Sequence, residues 1–481
     1  VRAMAQKIIP IVAAPMPGAS ASLFEVEAPN TVYVRSVRGW FTAWRWALVW
    51  VTQLLFYGLP WLQWNGRQAV LFDLEGRRFF LGALVLYPQD LLYLALLLML
   101  CAMALFFFTA VAGRLWCGYA CPQTVYTEMF LWLEQRFEGD HNARRRLDAQ
   151  PWSAQKLARK GGKQLAWLVL ALWTGFTLVG YFTPINTLGQ AVLQGALGPW
   201  ESFWMLFYGL ATYANAGYLR EQVCKHMCPY ARFQGALMDR DTLVIGYDSV
   251  RGEGRGSRPR SADPRALGLG DCIDCTLCVQ VCPTGIDIRN GLQSNCIACA
   301  ACIDVCDSVM DRMGYARGLI RYSTENALAQ GWDSATALRR LLRPRVLVYG
   351  ALLLVLTVSL VVGLAQRSPV RMDVIRDRGV LARVVDDGAV ENVYRLHIMN
   401  ATPDVQRYRI QIAGPQGLEM LPLPPLELGP AQERSVVAGV RLPAVFASRH
   451  PGQTLTMQFA VRAEGDAGEP VRERSTFHVP R

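Results

Sequence analysis

The sequence predicts a multi-domain membrane protein with five transmembrane α-helices, a soluble cysteine-rich insert before the fifth helix, and a strand-rich C-terminal sandwich. Three observations carry this reading. The 481 residues are 52% hydrophobic and only 18% charged, which is not the balance of three ordinary soluble domains. None of the thirteen cysteines lies after Cys306, and most cluster at metal-ligand spacing, which argues for a reducing compartment and not for a disulfide framework. From about Pro369 onward, short alternating runs are separated by Gly, Pro and Asn, the pattern of antiparallel strands.

The spans come first. Trp46–Leu62, Leu91–Val111, Gln164–Phe182, Ser202–Leu219 and Val346–Ala365 are apolar and approach the roughly 20 residues that cross a hydrocarbon core. The first and fourth are somewhat short, and Trp61, Trp64, Trp200 and Tyr218 can anchor their ends at the interfaces. Two helix hairpins, 46–111 and 164–219, are thus followed by a single helix at 346–365. Before them, Ile8–Ala14 is too short and too broken by Pro10 to act as a signal peptide. Cys101 sits inside the second span without a partner at ligand spacing and reads as a packing residue.

Orientation follows from basic residues, which stay on the cytoplasmic side. Gly113–Lys163 carries nine Lys/Arg and Arg220–Arg345 seventeen, whereas Thr183–Glu201 carries none and Gln63–Leu81 only three. Segment 1–45, loop 112–163 and insert 220–345 are therefore placed inside, and the tail 367–481 outside. The formal charge of +11 does not point to nucleic acid. From Val370 to Arg481 fourteen basic residues meet thirteen acidic ones, so the excess flanks the apolar runs and suits membrane lipid. Arg144, Arg145 and Arg146 form a headgroup patch of this kind.

The insert holds the strongest motif. Cys272-x2-Cys275-x2-Cys278-x3-Cys282-Pro283 is followed by Cys296-x2-Cys299-x2-Cys302-x3-Cys306. Three close thiolates cover three corners of a cubane, and the remote fourth closes the other cluster of a two-cluster ferredoxin. Cys272, Cys275, Cys278 and Cys306 are assigned to one [4Fe–4S] cluster, and Cys296, Cys299, Cys302 and Cys282 to the second, within a ferredoxin-like unit at about 265–315. Zinc modules use paired x2 spacings and rarely two such runs in tandem. Asp307 stands where the first run has Pro283. Ser249–Pro264, ahead of the unit, reads as a surface loop.

A second motif is repeated. Cys117-Gly-Tyr-Ala-Cys121-Pro122 follows the second span and Cys224-Lys-His-Met-Cys228-Pro229 the fourth, 107 residues later. The i, i+4 spacing puts both sulfurs on one helical face, and proline biases the second cysteine toward an extended conformation. Such thiolates could bind Cu(I), with His226 as a further ligand, or cycle between dithiol and disulfide; small thiols packed at a helix end are the structural alternative. Thr124–Phe137, after the first motif, has the spacing of a helix lying along the interface. In the tail, Asn392–Asn400, Gln406–Ile412 and Gln453–Arg462 alternate at period two and read as a β-sandwich of about 110 residues. His397 and Met399 share a strand face, but two ligands fall short of a copper site.

These residues closely resemble the cytochrome cbb3 oxidase accessory family called CcoG, FixG or RdxA. The resemblance runs from about Tyr33 to the end. It rests on GLPWLQWNGRQAVLFDL at Gly58–Leu74, TAVAGRLWCGYACPQTVYTE at Thr109–Glu128, REQVCKHMCPYARFQ at Arg220–Gln234, and the whole of Gly270–Asp307. RDRG at Arg376–Gly379 and ENVYRLHIMN at Glu391–Asn400 resemble the family's immunoglobulin-like C-terminal domain. The resemblance implies a bacterial inner-membrane protein with five spans, two cytoplasmic [4Fe–4S] clusters and a periplasmic sandwich. It also implies a cupric reductase, turning Cu(II) into Cu(I) for oxidase assembly. Copper would then be handled at Cys117, Cys121, Cys224 and Cys228, with assembly factors and copper chaperones or transporters as partners and an electron donor that the sequence does not name. A quinol-linked relay similar to NapH and NosR, and a non-enzymatic redox-sensing scaffold, are the competing readings.

Overall fold

The computed structural model describes residues 32–332, 336, 339, 340, 342–377, 379, 381–385, 387–402, 404–465 and 469–481. The Ile8–Ala14 run lies outside them.

Helix α1 spans Trp40–Gly58, starting well before the expected Trp46. The reason lies far away in the chain. The Asp304 carboxylate accepts hydrogen bonds from Phe41 N (3.2 Å), Thr42 N (2.7 Å) and Thr42 Oγ1 (2.7 Å), satisfying amides that a helix start leaves without partners. Gly39 is needed there, because a Cβ would stand 2.3 Å from Asp304 Cγ.

The connection after α1 is more ordered than a loop. Strands β1 (Val70–Asp73), β2 (Arg78–Leu81) and β3 (Leu84–Leu86) form an antiparallel meander. Its Leu71, Phe80, Val85 and Tyr87 share one core with Met399, Ala401 and Ala431 of the tail. Met399 is therefore packed core and no partner of His397 at a metal.

Helices α2 (Leu91–Ala112), α3 (Leu115–Tyr119), α4 (Pro122–Glu138), α5 (His141–Ala149), α6 (Ala154–Val179), α7 (Ile185–Gln194) and α8 (Pro199–Ala214) follow. Beyond α8 come two π-turns, Asn215–Leu219 and Val223–Met227, and α9 (Pro229–Leu237). The ferredoxin-like unit contributes β4 (Val244–Tyr247), α10 (Ala301–Met313) and β5 (Ile320–Ser323), and α11 (Pro344–Ala365) leads to the tail. Among the described residues, three helices are long and apolar enough to cross a membrane: Pro88–Ala112, Ala154–Val179 and Pro344–Ala365. The first and fourth expected spans are occupied by α1 and by the 16-residue α8.

Small residues let these helices approach. A Cβ on Gly175 of α6 would stand 2.2 Å from Met205 O of α8, and Tyr93 OH of α2 donates to Gly363 O of α11 at 2.9 Å, as packing between membrane helices favours. Cys101 is exposed on α2, on the same face as exposed Leu97 and Leu98. Helix α4, which covers the expected Thr124–Phe137 helix, buries one face on α6. Phe130 stacks on Trp167 at 5.2 Å between centroids, and Trp167 Nε1 donates to Phe130 O at 3.0 Å. Buried Glu134 and Glu138 require cations. Arg144 (2.8 Å), Arg220 (3.0 Å) and Lys163 (3.6 Å) meet Glu134, and Lys163 meets Glu138 at 2.8 Å.

The tail is a two-sheet antiparallel sandwich. Its strands are β6 (Val370–Arg376), β7 (Val390–Asn400), β8 (Gln406–Ala413), β9 (Leu426–Leu428), β10 (Glu433–Leu442), β11 (Thr454–Ala463) and β12 (Val471–His478). One sheet runs β10–β7–β6, with two short strands added; the other runs β9–β8–β11–β12. Tyr394, Leu396 and Ile398 alternate inward on β7 against Met457, Phe459 and Val461 on β11, as the period of two dictates.

Candidate iron–sulfur and thiol site

The two ligand loops have the same backbone. Asp274 and Thr276 stand at φ 55°, and Ala298 and Ala300 at 56° and 61°, so each Cys-x2-Cys-x2-Cys run holds two left-handed residues at equivalent positions. Thr276 then starts a short helix carrying Cys278, and Ala300 starts α10, which carries Cys302 and Cys306. Cys306 lies mid-helix, so the missing proline has a reason. Asp307 sits inside α10 and accepts from Gly318 N at 2.9 Å, where proline would remove a helical N–H.

Two cavities receive the thiols. Both are small, one lined by Cys272, Cys275, Cys278 and Cys306, the other by Cys282, Cys296, Cys299 and Cys302, with Cys278 at its edge. The chain thus brings together the two quartets expected from spacing. Among the described residues no group of three or more His, Cys, Asp or Glu is placed to hold a single metal ion. Thiols set around a void suit a cubane, which takes its ligands at separate corners. Burial pushes Cys278 up to about 11 and Cys296 and Cys306 to about 12, so their thiolates need a cation to sustain them. Ala298 N donates to Cys296 Sγ at 3.4 Å, and Thr284 Oγ1 lies 3.3 Å from Cys282 Sγ; such bonds tune cluster potential.

The repeated turns lie beside the second quartet. Cys121 and Cys228 are extended and precede Pro122 and Pro229, each the first residue of a new helix. Each pair therefore bridges two helices, with Cys117 in α3 and Cys224 in a π-turn. The four thiols form one electrostatic neighbourhood, each close enough to disfavour charge on others. Burial first, then those neighbours, push Cys224 up to about 12. Cys117 Sγ is 3.4 Å from the amide of fully buried Gln234, and His226 is exposed. Gly118 is pressed onto the ligand loop, where a Cβ would meet Ile297 O at 2.7 Å and Ala298 O at 2.8 Å. Cys117 packs on the cluster of Ile297, Cys299 and Ala301.

Sequence reasoning missed four contributors: Asp304, Gly118, Gln234 and Arg289. Arg289 lines the first cavity and pairs with Asp287 at 2.7 Å. Ser249–Pro264 is also no simple surface loop, since buried Arg258 donates to Gly270 O at 2.6 Å and to Gly256 O at 3.1 Å.

Three family models match this chain. They are a 4Fe-4S dicluster domain over residues 219–325, a 4Fe-4S binding domain over 94–139, and the IG-like fold at the C-terminal of FixG over 360–480. Protein RdxA of Cereibacter sphaeroides is 40% identical over 402 residues, covering 81% of this chain and 84% of RdxA. The chain belongs to the FixG/RdxA family. RdxB of the same organism is 39% identical over 83% of this chain and 85% of RdxB, and the nitrogen fixation protein FixG of Rhizobium meliloti 36% identical over 81% and 80%. This FixG/RdxA protein is thus an iron–sulfur protein of oxidoreductase type with an IG-like C-terminal domain.

Proposed function

We propose that this FixG/RdxA protein is a cupric reductase of the bacterial inner membrane, supplying Cu(I) for assembly of a cbb3-type oxidase. The observation that carries the reading is that four thiols from two separate helix turns lie near one another, and that one of them, Cys117, packs with Gly118 on the loop that holds Cys296, Cys299 and Cys302. Iron–sulfur clusters, when bound, supply electrons one at a time, and Cu(II) takes one to become Cu(I). In this reading the thiols of Cys117, Cys121, Cys224 and Cys228 take the ion two at a time, since no three of them are placed around one ion. Soft thiolates favour Cu(I) over Cu(II), so the site itself drives the reduction. Gln234 orients Cys117, Gly118 keeps the thiols against the ligand loop, and exposed His226 and Met227 stand at the copper entrance.

In this reading α1 and α8 join the three long helices as spans, with the clusters in the cytoplasm and the sandwich in the periplasm. Copper chaperones or transporters and oxidase assembly factors would exchange the ion, and lipid surrounds the helices.

Replacing Cys224 and Cys228 by Ser tests this. Cu(II) reduction, followed with a Cu(I)-specific chelator, is expected to fall to background while cluster absorbance is retained. A double variant reducing Cu(II) at the unmodified rate with full iron content would show that the turns are only packing.

A further inference from the structure

Between α1, α4, α6 and the ligand loop of the second quartet lies a cavity of about 1180 Å³ that the copper chemistry does not use. Val281, Pro283 and Ala301 line it. They are the chain neighbours of Cys282 and Cys302, so one residue separates the cavity from two cluster ligands.

Helix α1 faces the cavity with an unusual stripe. Its buried residues are Thr42, Arg45, Val49 and Gln53, one helical face that is polar at three of four positions. Trp44, Trp50, Leu54 and Leu55 are exposed. A membrane helix that turns its polar residues inward marks a path for a ligand. Arg45 pairs with Glu128, and both line the cavity. Gln53 is only 9% exposed and its Oε1 has no hydrogen-bond partner. Trp50, Trp132 and Trp173 line the cavity and are exposed, so it opens sideways where lipid would lie.

We propose that this cavity binds a membrane-soluble quinol, which supplies the electrons for the iron–sulfur centres. Arg45 and Gln53 lie two turns apart on α1, about 12 Å along the axis. The para-hydroxyls of a quinol ring span that gap, with a hydrogen bond at either end and Val49 beneath the ring. One hydroxyl meets Arg45 and Glu128, and the other donates to Gln53 Oε1. The apolar chain leaves past Trp50, Val169 and Trp173. A phospholipid acyl chain has no donor to offer Gln53, which is why the quinol is the better occupant. Arg45 lines the same cavity as Val281, Pro283 and Ala301, which places the ring beside the second quartet. Oxidation breaks two O–H bonds and yields quinone, two electrons and two protons. Clusters held by the two cysteine quartets would accept one electron each. The protons leave to water at the mouth, where Asp140 is exposed and His141 half-exposed.

The proposal rests on the iron–sulfur part of the functional reading, and its test contains no copper. In the full chain, in anaerobic nanodiscs, decyl benzoquinone is expected to quench tryptophan fluorescence saturably, and decyl benzoquinol to bleach the cluster absorbance. Gln53→Leu should weaken binding of decyl benzoquinol, read by its displacement of the quenching quinone, about tenfold, as expected for losing one hydrogen bond. Ala166→Trp, which fills the cavity from α6, should abolish both effects while dithionite still bleaches the clusters. Quenching that does not saturate, a phospholipid that quinone fails to displace, or an Ala166→Trp variant binding like the unmodified chain would overturn the proposal. If dithionite bleaches nothing in the unmodified protein, the iron–sulfur reading fails, and the quenching still decides whether the cavity binds quinone.

Discussion

Asp274, Thr276, Ala298 and Ala300 hold left-handed backbone without being glycine, at about 1 kcal/mol each. Such strain persists where the surroundings over-determine it. Here the loops must wrap three thiols around one body. Because the two quartets share only their flanking segments, Cys275→Ser should halve the iron content and leave one paramagnetic cluster signal intact. Gly118→Ala makes a different cut. The atoms facing its Cβ are backbone carbonyls at 2.7 and 2.8 Å, which cannot swing away, so overpacking of about 1–3 kcal/mol is expected. Copper reduction should fall at least tenfold with iron content unchanged; an active Gly118→Ala protein would separate the thiols' task from their contact with the loop. The eight cluster cysteines were legible because the inorganic body dictates their spacing. Gln234 and Asp304 were not, since their partners stand 117 and 262 residues away and nothing local marks either residue.

At the scale of elements, α4 shows why an amphipathic pattern does not say what its polar face meets. Glu134 reaches the same network as Arg144, Lys163 and Arg220, joining α4, α5, α6 and the π-turn before Cys224. Burial alone would raise its carboxyl, but the Arg220, Arg144 and Lys163 charges outweigh burial and hold it below the usual carboxylate range. The folded state therefore favours the ionised form. Its stabilisation is full above the ordinary value of about 4.3 and is lost as pH falls through the lower folded value. The thermal midpoint should drop on acidification through that window, and Glu134→Gln should flatten the drop while lowering the midpoint at neutral pH. Equal pH slopes in both proteins would exclude Glu134 as the cause. The β1–β3 meander stayed hidden for a related reason: its short strands complete their core only with Met399, Ala401 and Ala431 of the sandwich.

For the whole molecule, the arrangement of parts was readable from composition, because lipid, iron and a two-faced sheet each impose a distinct residue pattern. The extents of the first and fourth spans were not, since α1 starts early under its distant cap and α8 passes into a π-turn. Sidedness is a charge argument, and it makes a direct prediction. A reporter active only in the periplasm should work when fused after Arg481 and stay silent after Asp248. The opposite pattern would invert the topology and place Cys117, Cys121, Cys224 and Cys228 outside.

Asp304 caps α1 from the first turn of the helix that carries Cys302 and Cys306. The same turn of chain therefore answers to two suppliers, the cell's iron and its lipid bilayer. An iron-free chain is expected to exchange the Phe41 and Thr42 amide hydrogens faster than the loaded chain, and equal rates would show that the cap stands without the inorganic centre.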